Sequence, residues 1–146
     1  MKYFAFVLLA CTSLHAETGN IQPMIVENLI KQAQKNENWK IALATGKYEQ
    51  IVFMNISPAT NPQNEIGMEV HPFDQAIFIV EGKGKAVLDG KITPVKEGDL
   101  IFIPTGTSHN VINLGGQKEL KIISFYSSTD IPAAVAYPTK ESEGNE

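Results

Sequence analysis

Apolar residues recur along the chain with two different spacings, and the change in spacing predicts one helix followed by many strands. Within residues 24–39, Ile25, Leu29, Ile30 and Ala33 fall near one helical face, with lysines and amides opposite, which predicts an amphipathic packing helix. Over residues 41–126 the pattern changes to short β-rich runs separated by turn residues. We predict strands at 50–56, 68–71, 76–80, 85–88, 91–95, 100–103, 110–113 and 120–126.

Turn residues divide these runs into a compact antiparallel arrangement. Asp89-Gly90 lies between two predicted strands as a two-residue hairpin turn, and Gly98-Asp99 and Gly115-Gly116 separate others. Short, numerous strands with no helices between them indicate an all-β antiparallel sandwich or barrel. Residues 127–146 contain prolines, acids and little periodicity, so we interpret them as a tail lying on the barrel before it frays.

The first sixteen residues have the pattern of a secretory signal peptide. One lysine, a short apolar run over residues 3–10 and a small residue at Ala16 predict cleavage after Ala16 and a periplasmic or secreted protein. That run is shorter than the roughly 20 apolar residues needed to span a bilayer. Two alternatives are a buried N-terminal strand and a lipoprotein box ending at Cys11. The predicted division is a signal peptide (1–16), an N-terminal segment with the helix (17–40), the barrel (41–126) and the tail (127–146).

Composition narrows the function classes. The chain of 146 residues predicts one domain, and its 12 basic residues are all lysines against 16 acids, for a net charge of -4. An acidic chain without arginine argues against nucleic acid as a partner and against a phosphate site built from guanidinium groups. Cleavage after Ala16 removes Cys11, the only cysteine, so the mature monomer is predicted to depend on packing rather than disulfides.

A cluster of polar residues interrupts the strand pattern at 69–75. Glu69 and His71 share one face if this segment is extended, and Pro72-Phe73-Asp74 then forms a turn. Gln75 begins the next strand on a face shared with Ile77 and Ile79. The second histidine of the predicted mature chain, His109, follows a proline and a glycine at another strand edge.

Two sets of spacings resemble the motifs of the cupin family. The second motif is matched at every position by Gly98, Pro104, Gly106, His109 and Asn113. The first motif is matched at its spacings by Glu69, His71, Gln75 and Gly82, with Glu69 in place of a histidine, Gln75 in place of a glutamate and Gln63 where a glycine is expected. The resemblance covers about residues 50–126 and implies a cupin barrel, a double-stranded β-helix or jelly roll, with one N-terminal helix.

The resemblance also implies a divalent metal (iron, manganese, nickel or zinc) bound by Glu69, His71, Gln75 and His109. One carboxylate remains in this set, so a dication with its ligands would carry a net charge of +1. Glu69, His71 and His109 have the composition of a two-histidine, one-carboxylate facial triad. The neutral Gln75 would be a weak fourth ligand or would bond a bound water. The alternative is a metal-free cupin whose polar groups bond one another and buried water.

Several other residues have a structural explanation as well as a functional one. Asp74 would hold a metal-bound water or act as a general base, or would simply serve the turn. Strand phenylalanines would form an apolar barrel interior: Phe53, Phe78, Phe102 and Phe125, together with Tyr126. We expect Asn113 to have a structural hydrogen-bonding role.

The sequence predicts the fold more closely than it predicts the function, and two hypotheses for the function remain. One is a metal-dependent enzyme of the oxygenase or isomerase type that acts on a small organic molecule. The other is a non-catalytic binding or sensory cupin that captures a small, sugar-like ligand without metal. The resemblance further implies a homodimer.

Overall fold

The computed structural model describes residues 22–129 and 131–144, so the predicted signal peptide and Cys11 lie outside the described residues. Helix α1 spans Leu29–Lys35, which is shorter than the predicted 24–39. It begins after Asn28, whose φ of 53° is left-handed, and it ends at Asn36, whose backbone is extended. The helical spacing of apolar residues therefore extends past both ends of the helix, where the backbone at Asn28 and Asn36 leaves the helical conformation. None of the helices in these residues is long and apolar enough to cross a membrane.

Nine strands form the body of the described protein. They are β1 (Lys40–Thr45), β2 (Gln50–Ile56), β3 (Gln75–Glu81), β4 (Lys83–Leu88), β5 (Lys91–Lys96), β6 (Leu100–Ile103), β7 (His109–Asn113), β8 (Leu120–Tyr126) and β9 (Ala136–Tyr137). Most of the predicted strands agree to within two residues, whereas β1 and β9 were not predicted. The predicted strand at 68–71 is replaced by isolated backbone bridges on either side of Gly67, whose φ is 104°.

The strands form two antiparallel sheets, which confirms the predicted all-β antiparallel architecture with a small N-terminal helix. The six-stranded sheet has the order β6-β3-β8-β2-β1-β9, and the three-stranded sheet has the order β5-β4-β7. The main core includes side chains from both, among them Val52, Met54, Ile77 and Ile79 from the larger sheet and Ala86 and Val111 from the smaller. The β4–β5 hairpin turns at Asp89 and Gly90 with φ values of 45° and 80°, as its sequence predicts.

The phenylalanines correct the prediction for the barrel interior. Phe53, Phe78 and Phe125 lie in a second cluster with Ala33 of α1, separate from the main core, and Phe102 is 61% exposed. Only Tyr126 joins the main core. Because strand side chains alternate between faces, burial of Val52 and Ile77 in the barrel turns the adjacent Phe53 and Phe78 to the opposite face.

The segment after residue 130 lies against the barrel. Strand β9 pairs with β1, and helix α2 (Lys140–Glu143) follows it. The Trp39 indole N–H donates to Glu143 Oε2 at 2.7 Å, and the buried Lys40 ammonium bonds the other oxygen of the same carboxylate. These contacts hold α2 beside the start of β1.

Candidate metal centre

Two facing backbone positions bring the two sequence motifs together. Glu69 and His109 form an isolated antiparallel bridge in which each N–H donates to the other's carbonyl oxygen at 2.9 Å. Their side chains share one face of the bridge, and His71 lies two residues further along an extended segment. His71 Nε2 is 3.1 Å from Glu69 Oε2, and His109 Nε2 is 3.8 Å from the same oxygen. The structure thus gathers these three sequence-predicted residues within 4.8 Å of one another, as measured between their ligand atoms.

His109 makes a backbone hydrogen bond through the ring nitrogen that faces away from the cluster. Its side chain is 1% exposed, and Nδ1 lies 2.9 Å from the Thr107 carbonyl oxygen. A carbonyl oxygen can only accept, so Nδ1 donates to it, and in the neutral imidazole Nε2 then presents its lone pair. Within the described residues this buried Nε2 has no hydrogen-bond partner. An unpaired buried acceptor beside a carboxylate and a second imidazole fits a divalent transition metal.

His71 is held by backbone and ring contacts. The Gly106 N–H donates to the His71 carbonyl oxygen at 2.8 Å, which ties the first motif to the second. The Phe73 ring stacks on the imidazole at a centroid distance of 4.7 Å and an interplanar angle of 9°. Tyr126 meets His71 edge-on at 5.9 Å. These contacts limit rotation of the ring while its Nε2 stays beside Glu69.

The cluster is partly exposed to solvent. The side chains of Glu69 and His71 are 31% and 21% exposed, whereas His109 lies against the barrel core. Solvent therefore reaches the cluster through Glu69 and His71.

Gln75 lies on the barrel-facing side of β3, as predicted, and is 2% exposed. Its amide Nε2 donates to Ser124 Oγ at 2.7 Å, while Oε1 is buried without a partner in the described residues. Its strand partner Tyr126 carries the ring that touches His71. Gln75 therefore holds a buried amide oxygen at the first residue of β3, opposite Tyr126.

Asp74 is engaged by loop backbone. Its Oδ1 accepts from the Thr105 N–H at 2.8 Å, and its carbonyl oxygen accepts from the N–H and the hydroxyl of Ser127. These contacts match the turn interpretation of Asp74. A role as a general base stays a prediction.

Sequence reasoning did not identify Thr107 and Ser124, which fix the His109 tautomer and the Gln75 amide. No spacing rule marks a backbone carbonyl as an imidazole acceptor. Ser124 is one polar residue in an apolar strand. Its role in holding Gln75 becomes recognisable only once the neighbouring strands of the sheet are known.

Comparisons with known proteins find relatives in sequence and in fold. The pattern of the family described as "Cupin domain" matches residues 59–126. The Bacillus subtilis protein YrkC is 33% identical over 127 residues, which are 82% of this chain but only 64% of YrkC. The Acanthamoeba polyphaga mimivirus protein L612 is 34% identical over 119 residues, covering 78% of this chain and 71% of L612. A crystal structure of the Bacillus halodurans protein BH2720 has a TM-score of 0.78 and 30% identity, covering 86% of this chain and 96% of that one.

Proposed function

Because this chain belongs to the cupin family, we propose that it is a metal-dependent enzyme of the oxygenase or isomerase type that acts on a small organic molecule. Glu69, His71 and His109 would hold a divalent iron, manganese, nickel or zinc ion, with Gln75 beside them. The observation that carries this proposal is the unpaired, buried Nε2 of His109, which lies 3.8 Å from Glu69 Oε2.

A dication at these residues would act as a Lewis acid toward a substrate oxygen or would activate dioxygen. The protein's own residues make contributions that can be named separately from that of the metal. Glu69 supplies the single negative charge of the cluster, and Thr107 holds His109 in the tautomer whose Nε2 faces the cluster. Phe73 stacks on the His71 ring and Tyr126 meets it edge-on, and these two contacts orient the imidazole.

A metal-free binding or sensory cupin is the second candidate, and one observation favours it. Glu69 Oε2 and His71 Nε2 lie 3.1 Å apart, so these two groups satisfy each other without metal. His109 Nε2 and Gln75 Oε1 find no such partner in the described residues, and leaving buried polar groups unpaired costs about 1–3 kcal/mol each. The metal-bound alternative accounts for His109 as well and is therefore preferred.

The first experiment is elemental analysis of residues 17–146, purified without a histidine tag, beside a His71→Ala/His109→Ala variant. Near one equivalent of a transition metal in the wild type and none in the variant supports the metal site. No metal in either protein, even after incubation with iron, manganese, nickel and zinc, refutes it. Turnover of a substrate by the wild type, lost in His109→Ala, would favour the enzyme over a metal-free binder.

Export is part of the same proposal. The pattern of residues 1–16 supports cleavage after Ala16, which would make Glu17 the first residue of the mature protein. Intact mass measurement of the protein from its native compartment tests this. A mass that begins at residue 1 contradicts export, and a lipid-sized increase on a chain beginning at Cys11 supports membrane anchoring instead.

A further inference from the structure

A polar cleft lies on the outer side of the larger sheet, apart from the candidate metal centre. Its volume is about 210 Å³, and it is formed by the end of β2, the residues just before β1 and the start of α2. The residues that line this outer cleft include Glu37, Trp39, Asn55, Glu119, Lys140 and Glu141.

Asn55 contributes a buried amide to the outer cleft. Its neighbours on β2, Met54 and Ile56, belong to the barrel core, so alternation turns the Asn55 side chain to the outer face, where the cleft lies. Asn55 is 8% exposed, and its Oδ1 is buried without a hydrogen-bond partner among the described residues. The residue opposite on β8, Lys121, directs its Nζ to the Asn36 carbonyl oxygen instead, at 2.7 Å. The cleft thus holds an acceptor that is open to a donor from outside the chain.

The charge of the outer cleft favours a cation. Glu37, Glu119 and Glu141 line it, together with Lys140. Glu119 is paired with Lys121 at 3.3 Å. With both lysines counted against the three carboxylates, the formal charge is -1. One positive charge on a ligand neutralises it.

Glu141 is held as an anion at the start of α2. A hydrogen bond from its own backbone N–H, with further ones from the side chains of Gln63 and Thr139, lowers the pKa of its carboxyl. The residue is exposed, so a ligand in the cleft can reach this charge without movement of the sheet.

The spacing of the carboxylates favours a molecule over a bare metal ion. Three or more metal-ligating side chains approach within 4.8 Å of one another only at the candidate metal centre, in the part of the chain that the structure describes. A single ion would therefore not contact all three glutamates of the outer cleft. A planar guanidinium presents several N–H donors in different directions, pairs bidentately with carboxylates and is weakly hydrated for a cation. It can therefore serve the Asn55 oxygen and a carboxylate together.

We propose that the outer cleft binds a small organic cation of the guanidinium type, whose N–H groups donate to Asn55 Oδ1 and to the surrounding carboxylates. This site is independent of the proposed metal-dependent activity, because it shares no residue with the candidate metal centre.

The test follows three probes by ¹H–¹⁵N NMR of residues 17–146. Trp39 is the only tryptophan of the chain and lines the cleft, so its indole N–H signal reports binding there. Methylguanidinium has charge and donors, methylurea has the same planar shape and N–H donors without charge, and tetramethylammonium has charge without donors. We expect methylguanidinium to shift the indole signal saturably, with an affinity roughly tenfold above that of methylurea, because charge-assisted hydrogen bonds are about twice as strong. Tetramethylammonium at the same ionic strength should leave the signal unchanged.

Two variants assign the binding to named groups. Asn55→Leu keeps a similar volume but removes the acceptor, so the affinity for methylguanidinium should fall roughly tenfold or more. Glu141→Gln removes one exposed charge, so the affinity should fall roughly twofold to fivefold. Glu27→Gln is the matched control, because Glu27 is exposed, loses the same charge and does not line the cleft. Its affinity should equal that of the wild type.

Each other outcome overturns the proposal. An indole signal that methylguanidinium leaves unchanged at millimolar concentrations would leave water as the partner of Asn55. Equal affinity for methylurea, or an equal response to tetramethylammonium, would rule out the guanidinium class, and full affinity in Asn55→Leu would rule out the Asn55 contact. If Asn55→Leu does not fold, the probes and the two carboxylate variants still decide the question, since equal losses in Glu141→Gln and Glu27→Gln would mean nonspecific attraction to an acidic protein.

Discussion

Glu69 and His109 pair through their backbones, each donating its N–H to the other's carbonyl oxygen at 2.9 Å, and their side chains meet on the same face. The pairing joins the first motif to the second without using the side-chain atoms that would bind metal. Substitution of either side chain therefore leaves the backbone bridge in place. Changes at these positions report on metal binding more than on folding.

Glu69→Gln should lower metal affinity by roughly 100-fold or more. The change removes the only carboxylate of the cluster, and loss of a ligand exceeds the 10–100-fold typical for residues that merely orient one. Competition with a metal chelator measures the affinity. Glu65→Gln is the matched control, because Glu65 lies in the same segment but accepts from Asn110 Nδ2. Equal losses in the two variants would show that the segment, rather than the Glu69 carboxylate, controls binding.

Gly106→Ala and Gly98→Ala should destabilise the protein equally but affect the site differently. Both glycines have positive φ, 80° and 89°, and a Cβ would meet nothing within 4 Å at either position. Each substitution therefore costs only the backbone conformation, roughly 1–2 kcal/mol. Gly106 also donates its N–H to the His71 carbonyl, whereas Gly98 donates to Ile79.

We therefore expect weaker metal binding in Gly106→Ala alone. Urea unfolding measures the stability of both variants, and chelator competition measures their affinity. Unchanged metal affinity in Gly106→Ala would mean that His71 does not depend on the Gly106 contact.

Asn113→Ala should reduce the free energy of unfolding by roughly 2–4 kcal/mol, because several buried backbone groups lose their partner. Asn113 is 0% exposed, and its Nδ2 donates to the carbonyl oxygens of Ser57 and Lys118 at 2.8 Å. Its Oδ1 accepts from the Gly115 N–H at 2.7 Å. These bonds give Asn113 the structural role expected from its place in the second motif.

Asn61→Ala is the control for that experiment, since Asn61 is exposed and its side chain accepts a hydrogen bond from the nearby Gln63 N–H. We expect this control to change stability by about 0.5 kcal/mol or less. Similar losses in both asparagine variants would contradict a special role for Asn113.

A homodimer remains a prediction, and the outer face of the larger sheet supports it. Edge strand β6 exposes 62% of Leu100 and 61% of Phe102, beside Phe78 on β3. Burying such residues in a partner would remove apolar surface from water. Leu100→Lys/Phe102→Lys should therefore shift a dimer to a monomer in light scattering after size-exclusion chromatography.

Ile92→Lys is the control, because Ile92 is 59% exposed on the smaller sheet. Its molar mass should equal that of the wild type. A monomeric wild type at all accessible concentrations would refute the dimer, and dissociation by Ile92→Lys alone would move the interface to the other sheet.

The sequence by itself determined most strands, the β4–β5 hairpin turn and the cupin family. These features depend on local alternation, on turn residues such as Asp89-Gly90 and on the spacing from Gly98 to Asn113, all of which lie within short stretches. The same local rules failed at 68–71, where a single isolated bridge at Glu69 replaces a continuous strand.

Tertiary structure decided which face each strand buried and how the site was oriented. Alternation shows that Phe53 and Val52 point in opposite directions, but only the packing of the two sheets and α1 decides which enters the barrel. Likewise, Gln75 gained its orientation from Ser124, 49 positions away, and Trp39 found its acceptor in Glu143, 104 positions away. Such contacts form only when the chain folds, because no local pattern encodes which distant side chain will lie opposite.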